Sequence, residues 1–250
     1  HRTLMAMIQD SLVAGWRLAP PEGVVIDRGL YMQALAQGKH VTFEDIDRAM
    51  SFAAGTDEDP YYGHHLVSAM LPATFCYEQT TMSLADGSPQ HIEVTRGMLI
   101  RGRLCKKTLG CSANGMISAM AALSGAERTL QFLDDAQRVW GMWMSQRALS
   151  ISPEDLLISA EAEAEVARCV DDAVRKADSA AQRGVSEQKI VQRLQNVVMQ
   201  AGTIALRDAK MSGFVEIVSS GAKGSTVNLA QVLCCIGQQT IGGVRFGNSY

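Results

Sequence analysis

The sequence predicts an α+β fold that is mostly helical, and three observations lead to this expectation. Apolar residues recur at helical spacing through most of the 250 residues. Residues 92–104 alternate instead around a glycine, which is typical of a small antiparallel sheet. Residues 153–204 contain two long amphipathic runs with a short break between them, and this pattern favours an antiparallel helical hairpin.

The N-terminal part is expected to contain several short helices around the sheet. Helical patterns cover residues 3–18, 27–35, 42–52 and 66–71. Thr42 stands in an N-cap position and Asp45 follows three residues later, as in a capping box.

Strands are expected at residues 92–94 and 98–104, and helices at residues 115–123 and 127–147. Trp140 and Trp143 in the last of these helices are expected to anchor a core or an interface.

The C-terminal part is expected to begin with a long helix. Ser152 is a candidate N-cap, Pro153 suits the first helical position, and the helical pattern continues to about residue 182. Gly184 should end this helix and Ser186 should start the next. We therefore expect two domains, residues 1–152 and 153–250.

Composition places limits on function. The chain is 47% apolar and 20% charged, which is typical of a globular protein. The sequence contains no run of about 18 apolar residues, so we expect no membrane span. The net charge of −3 argues against a free-standing duplex-binding module, because such modules neutralise phosphates with a basic excess. The six cysteines form no CxxC pair and are expected to be reduced packing residues of an intracellular protein.

No metal site is expected from the spacing of potential ligands. Asp57-Glu58-Asp59 is the densest acidic run and is interpreted as a solvated loop. Asp134-Asp135 and Asp171-Asp172 are neighbours on helices, so their carboxylates should face different directions. His64-His65 is interpreted as part of an extended segment, in which adjacent side chains point apart.

The strongest candidate for function is a glycine-flanked lysine just before an apolar helical run. The segment is Gly221-Ala222-Lys223-Gly224-Ser225. Backbone N–H groups at a helix N-terminus favour anions such as phosphate, so Lys223, Gly224 and Ser225 are candidate phosphate contacts. The alternative is a surface lysine near a helix start. The lysine precedes the glycine, so the segment does not fit a P-loop.

Five segments, in order along the chain, resemble the largest subunit of multisubunit DNA-dependent RNA polymerases. They are MIQDSL at 7–12, PYYGHH at 60–65, GMLI at 97–100 with KKTLG at 106–110, the stretch from Trp143 to Asp155, and GAKGS at 221–225 followed by IGQQ at 236–239. The resemblance spans nearly the whole chain.

Three departures from the family pattern indicate a divergent lineage, viral or otherwise fast-evolving. Ser152-Pro153-Glu154-Asp155 stands where the family has Gly-Ile-Gly-Asp, and His64 stands where it has a lysine. The turn at Gly184 is also short.

The resemblance implies a pore-like α+β domain over residues 1–152. It implies a funnel-like domain over residues 153–250, with a helical hairpin and the start of the segment leading to the bridge helix.

The chain would be a non-catalytic portion that lines the passage through which ribonucleoside triphosphates enter and backtracked RNA leaves. The parent enzyme would carry out template-directed RNA synthesis with Mg²⁺ held by an aspartate motif, Asn-Ala-Asp-Phe-Asp-Gly-Asp, that this sequence lacks. The chain alone is therefore expected to be inactive and to bind no Mg²⁺.

Roles for individual residues also follow from the resemblance. Lys223, with Gly224 and Ser225, would meet the triphosphate, while Gln238, Gln239 and Asn228 would lie near the bridge helix. The pore signature would be formed by Gln9, Asp10, Lys106 and Lys107.

Structural alternatives remain open for these residues. The glutamines could cap a helix C-terminus, Gln9 and Asp10 could fix the local backbone, and the two lysines could be solvated strand ends.

The implied partners are the rest of the largest subunit, the second-largest and other polymerase subunits, ribonucleoside triphosphates, the RNA 3′ end and a transcript-cleavage elongation factor, with no membrane. The implied location is the nucleus, or the cytoplasm for a viral enzyme. Two other functions compete, a stand-alone nucleotide-binding protein and a helical scaffold. Tight nucleotide binding by the isolated chain would favour the first of these, and co-purification with polymerase subunits would argue against the second.

Overall fold

The computed structural model describes residues 3–19, 23–51, 61–82, 88–209 and 212–246. The acidic run Asp57-Glu58-Asp59 lies outside these ranges, so its interpretation as a loop stays a prediction. The chain divides into two compact units: residues 1–149 with 219–223, and residues 150–218 with 224–250. The names pore-like and funnel-like for the two parts also remain predictions.

The first unit combines helices with two small antiparallel sheets. Its helices are α1 (Asp10–Leu18), α2 (Arg28–Leu35), α3 (Phe43–Ser51), α4 (Gly63–Met70), α5 (Lys106–Leu109) and α6 (Met116–Arg147). Its strands are β1 (Val25–Ile26), β2 (Tyr61–Tyr62), β3 (Tyr77–Met82), β4 (Pro89–Thr95) and β5 (Met98–Arg101). β1 pairs with β2, and β3, β4 and β5 form a meander in that order.

Helix α1 is shorter than the helical pattern of residues 3–18 predicted. It begins at Asp10, because Gln9 has a φ of 49°, a left-handed conformation that a helix cannot contain. Before it, the Met7 N–H donates to the Leu109 carbonyl at 3.0 Å, so this segment pairs with a distant loop. The spacing of apolar residues could not reveal that competing hydrogen bond.

The predicted capping box at the start of α3 is confirmed. The Asp45 N–H donates to Thr42 Oγ1 at 3.2 Å, and the Thr42 N–H donates to Asp45 Oδ2 at 3.2 Å. These reciprocal bonds satisfy two backbone donors that the helix itself leaves unpaired.

The predicted antiparallel pair is confirmed as β4 and β5, joined by a tight turn at Arg96 and Gly97. Both residues have positive φ, 50° and 72°, as a two-residue hairpin turn requires. The sequence analysis missed β3, which pairs with the other edge of β4. It also extended the second strand three residues beyond Arg101, where β5 ends.

The two helices predicted at 115–123 and 127–147 meet at a kink. Gly125 has φ 83° and ψ 166°, so α6 consists of two helical segments on either side of it.

Most of the core of the first unit packs around α6 and α4. The largest fully buried side chains include Trp140, Trp143, Tyr31 and Phe132, so the expected role of the tryptophans as anchors is confirmed.

The second unit is built on a helical hairpin. After one turn of 3₁₀-helix (Pro153–Leu156), its helices are α7 (Ala160–Gln182), α8 (Glu187–Asp208), α9 (Gly213–Ser220) and α10 (Thr226–Leu233). A short antiparallel hairpin follows, with strands β6 (Thr240–Ile241) and β7 (Val244–Arg245).

The predicted start of the long helix at Ser152 is wrong. Ser152 begins only the 3₁₀ turn, and Ser159 caps α7, with its hydroxyl accepting the Ala162 N–H at 3.2 Å. Ser159 also donates its N–H and its hydroxyl to the Asp208 carboxylate at 2.6 and 2.7 Å. This contact with the end of α8 fixes the helix start, and it joins residues too far apart in sequence for a local pattern to show.

The break between α7 and α8 is as predicted, since Gly184 has a φ of 75° and α8 starts directly after Ser186. Within the hairpin, Ala177 and Ala180 of α7 pack with Ile190 and Leu194 of α8. The fold is therefore mostly helical α+β, as expected. No helix in the described part of the chain is long and apolar enough to span a bilayer.

Candidate functional site

The segment Gly221–Ser225, called the lysine loop below, joins α9 to α10. Gly221 and Gly224 have φ values of 76° and 74°, so both occupy left-handed backbone that other residues rarely adopt. The Ala222 N–H donates to Ser220 Oγ at 3.3 Å. The division between the two units falls within this loop, after Lys223.

Lys223 is exposed and makes no hydrogen bond or ion pair within the described part of the chain. Two other lysines are engaged: Lys176 pairs with Asp172 at 2.5 Å, and Lys107 donates to the Met82 carbonyl at 2.5 Å. The ammonium group of Lys223 is therefore available to an anion from outside this chain.

Ser225 is the N-cap of α10. Its hydroxyl accepts the Asn228 N–H at 3.4 Å and lies 2.9 Å from Asn228 Oδ1, to which it donates. Ser225, a predicted phosphate contact, and Asn228, expected near the bridge helix, are thus bonded to each other at the helix start. The first N–H groups of a helix have no intrahelical acceptor and carry a partial positive charge, so a negative group is favoured beside this end.

Gln238 and Gln239 lie after the end of α10, at the base of the β6–β7 hairpin. Their amides donate to the Gln239 and Gly237 carbonyls at 2.8 and 3.4 Å, outside the helix that they were thought to cap. The Gln239 carbonyl also accepts the Phe246 N–H at 3.2 Å.

The sequence analysis missed this hairpin, although it carries a signal. Gly242-Gly243 stands between the apolar residues Ile241 and Val244, and both glycines have positive φ, 60° and 81°.

The pore signature residues Gln9 and Asp10 lie at the start of α1. The Gln9 carbonyl accepts the Leu12 N–H at 2.9 Å, and Asp10 is the exposed first residue of α1. Asp10 also lines a cavity of about 450 Å³ together with Trp140 and Met144. This geometry favours the backbone-fixing alternative for Gln9.

The alternative interpretation of Lys106 and Lys107 as strand ends is wrong. They form the first turn of α5, where Lys106 is exposed and Lys107 reaches the Met82 carbonyl at the end of β3. The two lysines therefore do not present one shared cationic surface.

His64 and His65 correct another expectation. They lie in the first turn of α4 and not in an extended segment, and their ring centroids are 4.4 Å apart. Burial lowers the pKa of His64, so the ring is neutral at neutral pH. His64 therefore does not replace the positive charge of the family's lysine.

One group in the described residues brings three potential metal ligands together, His40, Asp134 and Asp135, whose ligand atoms lie within 4.8 Å of one another. Asp135 is buried and its Oδ1 accepts the Lys39 and His40 N–H groups at 2.7 and 3.2 Å. Asp134 pairs with Arg138 at 3.1 Å. Asp135 Oδ2 is buried and has no hydrogen-bond partner among the described residues. We interpret the group as an anchor for the turn after α2, because Asp135 Oδ1 bonds two backbone N–H groups of that turn.

Comparison with known proteins identifies the family. Residues 1–156 match the family model described as RNA polymerase Rpb1, domain 3, and residues 169–250 match that described as RNA polymerase Rpb1, domain 4.

Two relatives illustrate the range of the family. One is a probable DNA-directed RNA polymerase II subunit RPB1 homolog from Invertebrate iridescent virus 6, 27% identical over 62% of this chain and 16% of the relative. The other is DNA-directed RNA polymerase subunit Rpo1N from Halobacterium salinarum, 24% identical over 79% of this chain and 22% of the relative. The aligned part is thus less than a quarter of each relative's length. The first family model alone covers residues 1–156 of the 250, more than half of the chain, and so the chain belongs to the family of the largest subunit of DNA-directed RNA polymerase.

Proposed function

We propose that this chain lines the pore and funnel through which ribonucleoside triphosphates reach the active centre and backtracked RNA leaves. The observation that carries the proposal is the lysine loop, in which an exposed lysine without a protein partner precedes the N-terminus of an apolar helix. Family membership supports the proposal, since it supplies a reaction in which a triphosphate must be guided.

Lys223 would act as a compact positive charge that draws in and pre-positions the triphosphate. Gly224 and Ser225 would contribute the N-terminal end of α10, where partial positive charge favours the same group. The space around Gly224 is open, because the nearest atom to a Cβ added there is 3.6 Å away. Guiding the substrate in this way requires no covalent chemistry from the loop.

Nucleotidyl transfer also needs Mg²⁺ held by converging carboxylates. The lysine loop contains no carboxylate. Among the described acidic pairs, Asp134 bonds Arg138 and Asp172 bonds Lys176, so these two carboxylates are not free to hold such a centre. We propose that Mg²⁺ is held by another part of the parent subunit and that this chain alone is inactive.

The remaining partners are proposed on the same basis. They are the rest of the largest subunit, the second-largest and other subunits, the RNA 3′ end and a transcript-cleavage factor at the α7–α8 hairpin. We propose the nucleus as the location for a cellular enzyme and the cytoplasm for a viral one.

The test is Lys223→Ala in the assembled polymerase. We expect the apparent KM for nucleotides to rise about 3- to 10-fold, which corresponds to about 1 kcal/mol for one exposed charge contact, while subunit assembly is unchanged. Lys223→Arg should retain most of the affinity because it keeps the charge.

Lys189→Ala is the matched control, since Lys189 is also an exposed lysine near a helix N-terminus. An unchanged KM in Lys223→Ala would remove Lys223 from the substrate passage. Tight nucleotide binding by the chain on its own would instead favour a stand-alone nucleotide-binding protein.

A further inference from the structure

We infer that Arg245 is a positioning residue, which holds the segment carrying Gln238 and Gln239 against α8 and so sets the place of that segment in the nucleotide passage. This inference rests on the proposed function. Nothing in the sequence patterns pointed to Arg245.

The segment from Gly237 to Phe246 has little burial of its own. Its two strands have two residues each, and Ile241, Val244 and Phe246 are 68%, 58% and 53% exposed. A two-stranded hairpin of this size is marginally stable in water. Its position must therefore depend on a few specific contacts.

Arg245 supplies one of these contacts through Glu187, in the first turn of α8. The Arg245 Nε–H and backbone N–H donate to Glu187 Oε1 at 2.7 and 3.2 Å, and Nη2 lies 3.4 Å from Oε2. The remaining guanidinium nitrogen, Nη1, lies 3.8 Å from Asp178 Oδ1 of α7. The side chain is only 23% exposed, so this forked pair is shielded and geometrically specific.

Gly237 supplies a second contact, with the same helix. It has a φ of 85°, and a Cβ added there would lie 2.2 Å from Val198 Cγ2. The backbone thus lies directly on α8 at Val198, about 16 Å along the helix from Glu187 at 1.5 Å per residue.

Gln238 and Gln239 lie in sequence between these two anchors. Thr240, the residue after Gln239, pairs with Arg245 across the hairpin, and the Phe246 N–H donates to the Gln239 carbonyl. Displacement of Arg245 is therefore transmitted to the glutamines through the pairing of the two strands. Loss of the arginine contact should therefore free the glutamines without unfolding α8.

The test compares Arg245→Ala and Arg245→Lys in the assembled polymerase. We expect Arg245→Ala to speed amide hydrogen exchange in residues 236–246 at least 10-fold and to raise the nucleotide KM about 3-fold, with kcat changed less. Arg245→Lys keeps the charge but loses the forked geometry, so both effects should be intermediate. A split of KM from kcat separates positioning of substrate from general loss of structure.

Arg207→Ala is the matched control, because Arg207 lies on α8, the helix of Glu187. Among the described residues it makes only an exposed pair with Glu165 at 4.0 Å and a bond within its own helix. Unchanged exchange in Arg245→Ala would overturn the anchor. Faster exchange with an unchanged KM would overturn the positioning role, while the proposed function would still stand if Lys223→Ala raises KM. An unchanged KM in both Lys223→Ala and Arg245→Ala would overturn the function as well.

Discussion

The two units of the chain are stabilised by different kinds of contact. In the first unit, large aromatic and aliphatic side chains, among them Trp140 and Phe132, are completely buried in one extensive cluster. In the second unit, the buried clusters are small and consist mostly of alanine, valine and leucine, such as Ala205 with Val218 and Leu229. The first unit therefore depends on burial of large side chains, whereas the second depends on close backbone approach and a few polar contacts.

The contrast matters for the proposed function. Side chains in a large core are fixed by many neighbours, so a single surface change should not move them. In the second unit, a segment such as residues 237–246 is held by few contacts, so single residues control its position. Three predictions test this difference.

The largest effect is expected from truncation in the core of the first unit. Phe132→Ala should lower the free energy of unfolding by about 3–5 kcal/mol, because the buried ring leaves a cavity. Val166→Ala in α7 removes less buried surface and should cost about 1.5 kcal/mol. Urea denaturation of the chain measures both losses, and equal losses would contradict the comparison.

An opposite pair of glycine substitutions tests the close approach of helices. Gly202 lies on α8, and a Cβ there would be 2.5 Å from Ala230 Cβ on α10, so Gly202→Ala should destabilise by about 1–2 kcal/mol. Gly141 on α6 has no atom within 4 Å of an added Cβ, so Gly141→Ala should stabilise by about 1 kcal/mol through helix propensity.

Thermal unfolding gives the sign of each change. Adding Ala230→Gly to Gly202→Ala should recover part of the loss, since the two sites share one contact. If the stability changes of the two substitutions simply add, the contact between residues 202 and 230 is not the cause of the loss in Gly202→Ala.

The smallest effects concern pH, and the two units should respond in different ranges. Burial lowers the pKa of His64 from its ordinary value of 6.5, and the hydrogen bonds from Arg245 lower the pKa of Glu187 from 4.5. In both cases the folded pKa lies below the unfolded one. The stabilisation is therefore complete above the ordinary value and is lost as the pH falls through the folded pKa.

On acidification, the first unit should lose stability below about pH 6.5 and the second only below about pH 4.5. All three tryptophans lie in the first unit, so their fluorescence in urea titrations reports its stability as a function of pH. His64→Gln should abolish the dependence between pH 7 and the folded pKa of His64. A carbon-13 titration of Glu187 checks the second range, and a midpoint at or above 4.5 would contradict it.

Local signals in the sequence predicted much of the fold. The capping box of Thr42 and Asp45, the glycine at the β4–β5 turn and the break at Gly184 each act within a few residues. The errors at Gln9 and Ser152 have one cause, since Met7 pairs with Leu109 and Ser159 with Asp208, far away in sequence.

The candidate site divides in the same way. The lysine loop was found from its own residues because a glycine-flanked lysine before an apolar run is a local pattern. The contact between Arg245 and Glu187 could not be found, since 58 residues separate its partners. The turn anchor of His40 and Asp135 was missed for the same reason, with a separation of 95 residues.

The sequence by itself determined the family, the helical hairpin and the position of the lysine loop, because each depends on residue identity and short-range spacing. Only the tertiary structure decided where α1 and α7 begin, which unit Lys223 joins, and that Arg245 holds the segment of Gln238 and Gln239. These features depend on contacts between residues that are far apart in sequence. Such residues come together only when the chain has folded, so no short-range pattern of residues can reveal them.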